Sequence, residues 1–299
     1  MTVNRSKAIC ILGMHRSGTS VMSRAVNLLG ADLGNRSKLL PPGKANPKGF
    51  WEHTGMIRCN HRILRTFSRS WDTVEPLPDR WWKSPRVQPL REELRNLVER
   101  DFSGKRLWAW KDPRTCLVLP LWQSILSELD TELCHVIVVR NPLDVAASLK
   151  ERNGFPMKKS LNLWAHYTLS SLFWTIGTKR VVVHYDRLLR DWEPQLKKVA
   201  SVLDIPWPKT EGKLKKGMNS FLDPNLQHSQ SSLKQLKAEK VSQPIQKIYR
   251  LSLQAARNED MLRKKKFNEQ VKHLYHGFRM TAKPSHQHSL TVARQRAIR

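Results

Sequence analysis

Two short stretches of this chain gather cations, hydroxyls and glycines in the way that phosphate or sulfate chemistry requires. The first runs Gly13-Met14-His15-Arg16-Ser17-Gly18-Thr19-Ser20. It follows an apolar run, Ala8 to Leu12, and leads into the helical pattern Val21, Met22, Ala25, Val26, Leu28, Leu29. A strand, a glycine turn and a helix N-terminus aim unpaired backbone N–H groups at one point, and the helix dipole adds partial positive charge there. A loop for nucleoside triphosphates has the form G-x-x-x-x-G-K-[ST]. Gly13 and Gly18 fit it, but Thr19 stands in the lysine position and the cation, Arg16, lies two residues before the second glycine. A lysine after the second glycine serves the β- and γ-phosphates. Its displacement points to a different anion.

The second stretch is His135 to Val139, a buried-strand pattern, then Arg140-Asn141-Pro142 and a helix carrying Asp144, Ser148 and Arg152. Ser148 and Arg152 are four apart and share a helix face. Guanidinium forks and a hydroxyl converging on one point make a strong phosphate site. Three further positions can take part. Lys111, in Trp110-Lys111-Asp112-Pro113-Arg114, follows a predicted strand. Glu52, in Gly49-Phe50-Trp51-Glu52-His53, offers a carboxylate at the start of a helix, and Tyr185 follows the last predicted strand.

Taken together, these motifs resemble those of sulfotransferases that use 3′-phosphoadenosine 5′-phosphosulfate, in particular the bacterial carbohydrate type, over roughly residues 7–230. The resemblance implies that Arg16, Ser17, Gly18, Thr19 and Ser20 hold the 5′-phosphosulfate. It implies that Arg140 and Ser148, with Arg152, hold the 3′-phosphate and that Tyr185 contacts the nucleotide. Lys111 would reach the sulfuryl group or the bridging oxygen. Glu52 would be the general base, with His15 and His53 as competitors. The run Phe221 to His228 resembles a late loop that closes near the nucleotide. No metal is expected, because arginine and lysine can take its part. The acceptor implied is a hydroxyl or amine, on a carbohydrate that could itself be anionic. Two other readings compete: an ATP- and magnesium-dependent kinase, and a basic binding protein for an anionic polymer.

The elements that must position these residues follow from the apolar pattern. Strands are expected at Ala8–Gly13, Leu107–Trp110, Val136–Val139 and Val181–His184. Helices are expected around Val21–Leu29, His53–Thr66, Pro89–Asp101, Leu117–Leu129, Leu143–Arg152 and Leu161–Ile176. This alternation predicts an α/β protein, a three-layer P-loop-like fold with a parallel sheet, whose ligands bind at the carboxyl ends of the strands. Pro/Gly-rich residues 35–49 and the tryptophan-containing residues 70–85 read as long loops. After Trp207-Pro208 the chain turns polar and basic. Residues 1–230 are therefore expected to form the sulfotransferase domain, and 231–299 a basic helical extension ending in a partly disordered tail.

The formal charge is +28, from 53 Lys+Arg against 25 Asp+Glu. That excess implies anionic company, of which a bisphosphorylated nucleotide uses only a few charges. No zinc-finger, RNA-recognition or helix-turn-helix signature accompanies it, so no specific nucleic-acid partner is expected. Cys10, Cys59, Cys116 and Cys134 have neither zinc nor redox spacing, which predicts reduced, buried thiols. The first residues pass directly into a strand and no apolar run approaches a membrane span, so a cytoplasmic protein is expected. Composition leaves the oligomeric state open.

Overall fold

Alternation along the first strand decides how the layers form. Ala8, Cys10 and Leu12 face one side and Ile9 and Ile11 the other, and all five are fully buried. Each side must therefore be covered. The computed structural model, which describes residues 5–43, 46–222 and 231–282, shows both covers. The strands are β1 (Lys7–Leu12), β2 (Leu107–Lys111), β3 (Glu132–Val139) and β4 (Arg180–His184). They form a wholly parallel sheet in the order β2-β1-β3-β4, with Ile9 beside Ala109 on one flank and Cys134 on the other.

The first helices in chain order are α1 (Thr19–Leu28), α2 (Thr54–Thr66) and α3 (Gln88–Phe102). Three more, α4 (Thr115–Glu128), α5 (Pro142–Asn153) and α6 (Met157–Trp174), alternate with the strands. Then come α7 (Tyr185–Arg190), α8 (Trp192–Val202) and α9 (Gly212–Phe221). Helices α1, α8 and α9 close the Ile9/Ile11 face through Met22, Val26, Leu196, Val199, Leu214 and Met218. The other face packs on α2 to α6, and aromatic rings fill it: Phe102 stacks on Trp108 at 4.3 Å, and Trp110 on Trp122 at 4.8 Å. This is the expected three-layer α/β arrangement.

The segment after residue 230, read from the sequence as a basic helical extension, packs against the sheet. Its described part contains α10 (Leu233–Ala238), α11 (Gln243–Arg257) and α12 (Lys265–Thr281). Tyr249 on α11 hydrogen-bonds His184 at the end of β4 (2.9 Å). Arg180 on β4 donates to Leu262 O (3.1 Å) and Asn268 Oδ1 (2.6 Å). On α12, Phe267, Val271 and Tyr275 are buried in the same core as β2, and Tyr275 stacks flat on Phe173 at 3.9 Å. Those three residues are spaced by four, a narrow apolar stripe that surrounding lysines dilute in any composition window. The tail cations Lys283, Arg294, Arg296 and Arg299 lie outside the described residues. No helix among the described residues is long and apolar enough to cross a membrane.

Candidate active site

The strand order places β1 between β2 and β3, so the chain leaves β1 and β3 toward opposite flanks and a crevice opens beyond their carboxyl ends. A cavity of about 720 Å³ fills that crevice. Arg16, Gly18, Thr19, Ser20, Glu52, Lys111, Arg140, Ser148, Arg152 and Tyr185 all line it. Of the residues expected in the site, Ser17 is buried beneath the turn, its N–H donating to Met14 O at 3.1 Å.

The turn itself is tightly constrained. Gly13 N donates to Cys116 Sγ on α4 (3.2 Å), anchoring the turn to the layer below. Gly18 caps α1 with φ +89°, and a Cβ there would lie 2.0 Å from the Tyr185 ring. Only glycine lets that ring approach so closely. Arg16 holds φ +70°, unusual for a residue with a side chain, which turns its guanidinium into the cavity.

Two clusters form along the cavity. In the first, Arg16 Nε donates to Ser148 Oγ (2.8 Å) and Arg140 Nη1 donates to Arg16 O (3.2 Å). The Arg140 guanidinium also lies over the Tyr185 ring at 4.9 Å. Burial and the neighbouring Arg140 charge both lower the pKa of Arg16, the signature of like charges held together. In the second cluster Lys111 makes an ion pair with Glu52, their side chains 2% and 9% exposed. Lys111 Nζ also reaches Ser20 Oγ (3.3 Å), which in turn accepts from Asn46 Nδ2 (2.9 Å). Burial raises the Glu52 pKa, and Lys111 opposes that rise.

The remaining candidates separate. Arg152 stacks over Trp71 at 5.3 Å and donates to Asn153 Oδ1 (2.7 Å), one helical turn beyond Ser148. His15 lines the cavity edge-on to Trp71 (4.6 Å). Burial, then the charges of Arg114, Arg152, Lys111 and Arg16, hold its pKa well below the usual imidazole value. His53 does not line the cavity: it pairs with Asp101 (3.2 Å) and packs against Phe102.

Sequence reasoning did not find what steadies the Lys111 turn. The buried Asp112 carboxylate accepts from Asn60 Nδ2 on α2 (2.9 Å) and Arg114 Nη1 (2.8 Å), and Asn60 Oδ1 accepts from Trp122 Nε1 (2.9 Å). An asparagine on an amphipathic helix reads as solvated, so its spacing carries no signal. Among the described residues, no group of three or more His, Cys, Asp or Glu is placed to hold a metal ion.

No protein-family model and no curated protein matches this chain. Among solved structures it is similar to the sulfotransferase domain from the curacin biosynthetic pathway, at 15% identity and TM-score 0.40 over 71% of this chain and 77% of that one. It is also similar to the sulfotransferase domain from the Synechococcus PCC 7002 olefin synthase, at 17% identity and TM-score 0.43 over 87% of this chain and 97% of that one.

Proposed function

We propose that the protein is a sulfotransferase that moves a sulfuryl group from 3′-phosphoadenosine 5′-phosphosulfate to a hydroxyl or amine, on a carbohydrate acceptor. The observation that carries this reading is the buried Lys111–Glu52 pair beside Ser20, at the mouth of a glycine turn whose lysine position is Thr19. The residues fit the donor. The first-turn N–H groups of α1 and Arg16 suit its 5′ end, and Arg140 with Ser148 suits the 3′-phosphate. When bound, the donor supplies a sulfuryl group already attached to a phosphate leaving group.

This chain's own residues then position and neutralise. Glu52 takes the acceptor proton as general base. Lys111 opposes the rise that burial imposes on that carboxylate and, with Arg16 and the turn N–H groups, offsets negative charge developing at the leaving oxygen. Asp112, locked by Asn60 and Arg114, keeps the lysine turn rigid, so little reorganisation is needed during reaction.

Thermal stabilisation tests the reading. Adenosine 3′,5′-bisphosphate in EDTA at 100 times its dissociation constant should stabilise the protein by about 2.7 kcal/mol. Arg140→Ala should weaken that ligand about ten- to a hundredfold, and adenosine 5′-monophosphate far less. Stabilisation by ATP with magnesium alone would instead make the protein a kinase.

A further inference from the structure

Lys48 and Phe221 wall the cavity on one side, and both also line a second groove of about 730 Å³ between α1, residues 30–39 and α9. One face of α1 connects the two. Ser20, beside Lys111 in the cavity, is followed at helical spacing by Arg24 and Asn27, which line the groove. Arg24 thus lies about 6 Å further along the helix axis from the reactive pair's end.

Among the described residues that line the groove, the cations Arg24, Arg36 and Lys48 face one carboxylate, Asp32, which is engaged elsewhere. Arg24 lies over the Trp51 ring at 5.2 Å and donates one N–H to Asn27 Oδ1 (2.6 Å). Arg36 lines the same wall and is exposed. Lys48 donates to the backbone carbonyls of Ser220 (3.1 Å) and Phe221 (2.8 Å). Asp32, the acidic residue of the lining, is engaged by Lys105 (2.7 Å) and the Gly34 N–H (2.7 Å). Burial, then the charge of Arg36, lowers the pKa of Arg24. Trp51 Nε1 donates to Lys48 O (3.1 Å), which holds the ring beneath Arg24.

We infer that this groove binds the part of the acceptor lying beyond its reacting unit, and that the acceptor is an acidic oligosaccharide carrying carboxylate or sulfate groups. The inference rests on the sulfotransferase reading, and adds where and by which residues the acceptor chain is held. The Arg24 guanidinium on α1, with Arg36 and Lys48 further along the groove, matches oxyanions spaced along such a chain. A single-stranded nucleic acid would need open aromatic platforms on which successive bases stack. The Trp51 ring already carries Arg24 on one face, which leaves the groove without such a series.

Calorimetry with two probes, tetragalacturonate and a heparin-derived tetrasaccharide, tests this at about 150 mM salt, where long-range attraction to the basic surface is screened. Each titration is run with and without adenosine 3′,5′-bisphosphate. The Arg24→Ala/Arg36→Ala double variant should lose affinity for at least one probe about tenfold or more, while its bisphosphate affinity stays within twofold of wild type. Lys265→Ala/Lys266→Ala on α12, a control of equal charge change, should bind the probes like wild type. Equal probe affinity in the groove variant and wild type would overturn the proposal. So would a single-stranded DNA of matching charge that binds as tightly and loses as much in the groove variant. If wild type does not bind the bisphosphate at all, the sulfotransferase reading fails; if it does and the groove variant keeps full probe affinity, only the groove assignment fails.

Discussion

Glu52 is subject to opposing pulls: burial favours its neutral form, and the Lys111 ammonium favours the carboxylate. Because burial raises its pKa, the acid limb of the pH–rate profile should lie above the ordinary carboxylate value of 4.5, with activity gained as pH rises through it. Glu52→Gln should keep bisphosphate affinity nearly intact and lower turnover about 10²–10⁴-fold, as single-turnover assays would show. Near-normal turnover would pass the role to His15, which already lies uncharged in the cavity at neutral pH. Gly18→Ala tests the turn. The new methyl must displace the Tyr185 ring and adopt φ +89°, so bisphosphate affinity should fall and folding should weaken by about 1–3 kcal/mol on urea titration. An alanine variant with native affinity would separate Tyr185 from the nucleotide. Residues of this kind were legible in the sequence because glycine spacing and strand ends are local signals. The Asn60–Asp112 bond and the Arg152–Trp71 stack were not, since each joins segments about fifty or more residues apart with no periodic mark.

At the scale of elements, each expected strand is present, and β3 begins four residues earlier than its apolar core suggested. His135 explains the difference: it interrupts the apolar run in sequence yet is fully buried, its Nδ1 3.0 Å from Thr178 Oγ1. The ladder continues back to Glu132, which pairs with Lys179 (2.9 Å) at the sheet's rim. The six expected helices α1 to α6 also form, within a few residues of their sequence limits. The C-terminal helices were harder to place, because a four-residue apolar spacing says a helix has one buried side but not what buries it. Here it is α6 and the sheet's aromatic layer. Truncation after Lys264 should therefore remove the burial of Phe267, Val271 and Tyr275. At roughly 1.5–3 kcal/mol each, that loss is comparable with the whole stability of a domain. The truncated chain should show no cooperative unfolding transition by circular dichroism. Tyr275→Ala in the full chain should cost about 3–5 kcal/mol. A truncated protein that still unfolds cooperatively would restore α12 to the periphery.

Across the whole molecule, the +28 charge draws attention to acid sensitivity of another origin. His135 and His166 are buried with pKa values held at about 3, and His184 at about 4, in each case mainly because burial disfavours the charged ring. Unfolded, each titrates near 6.5. Their contribution to stability is therefore complete above pH 6.5. It is lost as pH falls toward 4, at about 1.4 kcal/mol per pH unit for each histidine. Urea midpoints measured from pH 7.5 to 5 should fall steeply, and His166→Phe should flatten that dependence. Midpoints constant over this range would mean that the rings take up protons in the folded state. Sequence composition could not reveal this, because a histidine within a strand or helix pattern carries no mark of its burial.

The contact beneath the glycine turn makes the protein a clock for its own loop. Cys116 Sγ, buried and with its pKa pushed up to about 12, accepts from the Gly13 N–H and is shielded by the turn above it. Alkylating reagents attack thiolates, so labelling must wait for the turn to lift. Iodoacetamide modification of Cys116, followed by peptide mass spectrometry, should therefore be slow and gated by opening. A saturating ligand that clamps the turn should slow it further, while labelling of Cys59, which sits on α2 against Glu93, keeps its own pace. The change that the ligand makes in the Cys116 rate, with the equally buried Cys59 as control, reports how often the anion-binding turn leaves its seat, in a molecule that need not be turning over at all.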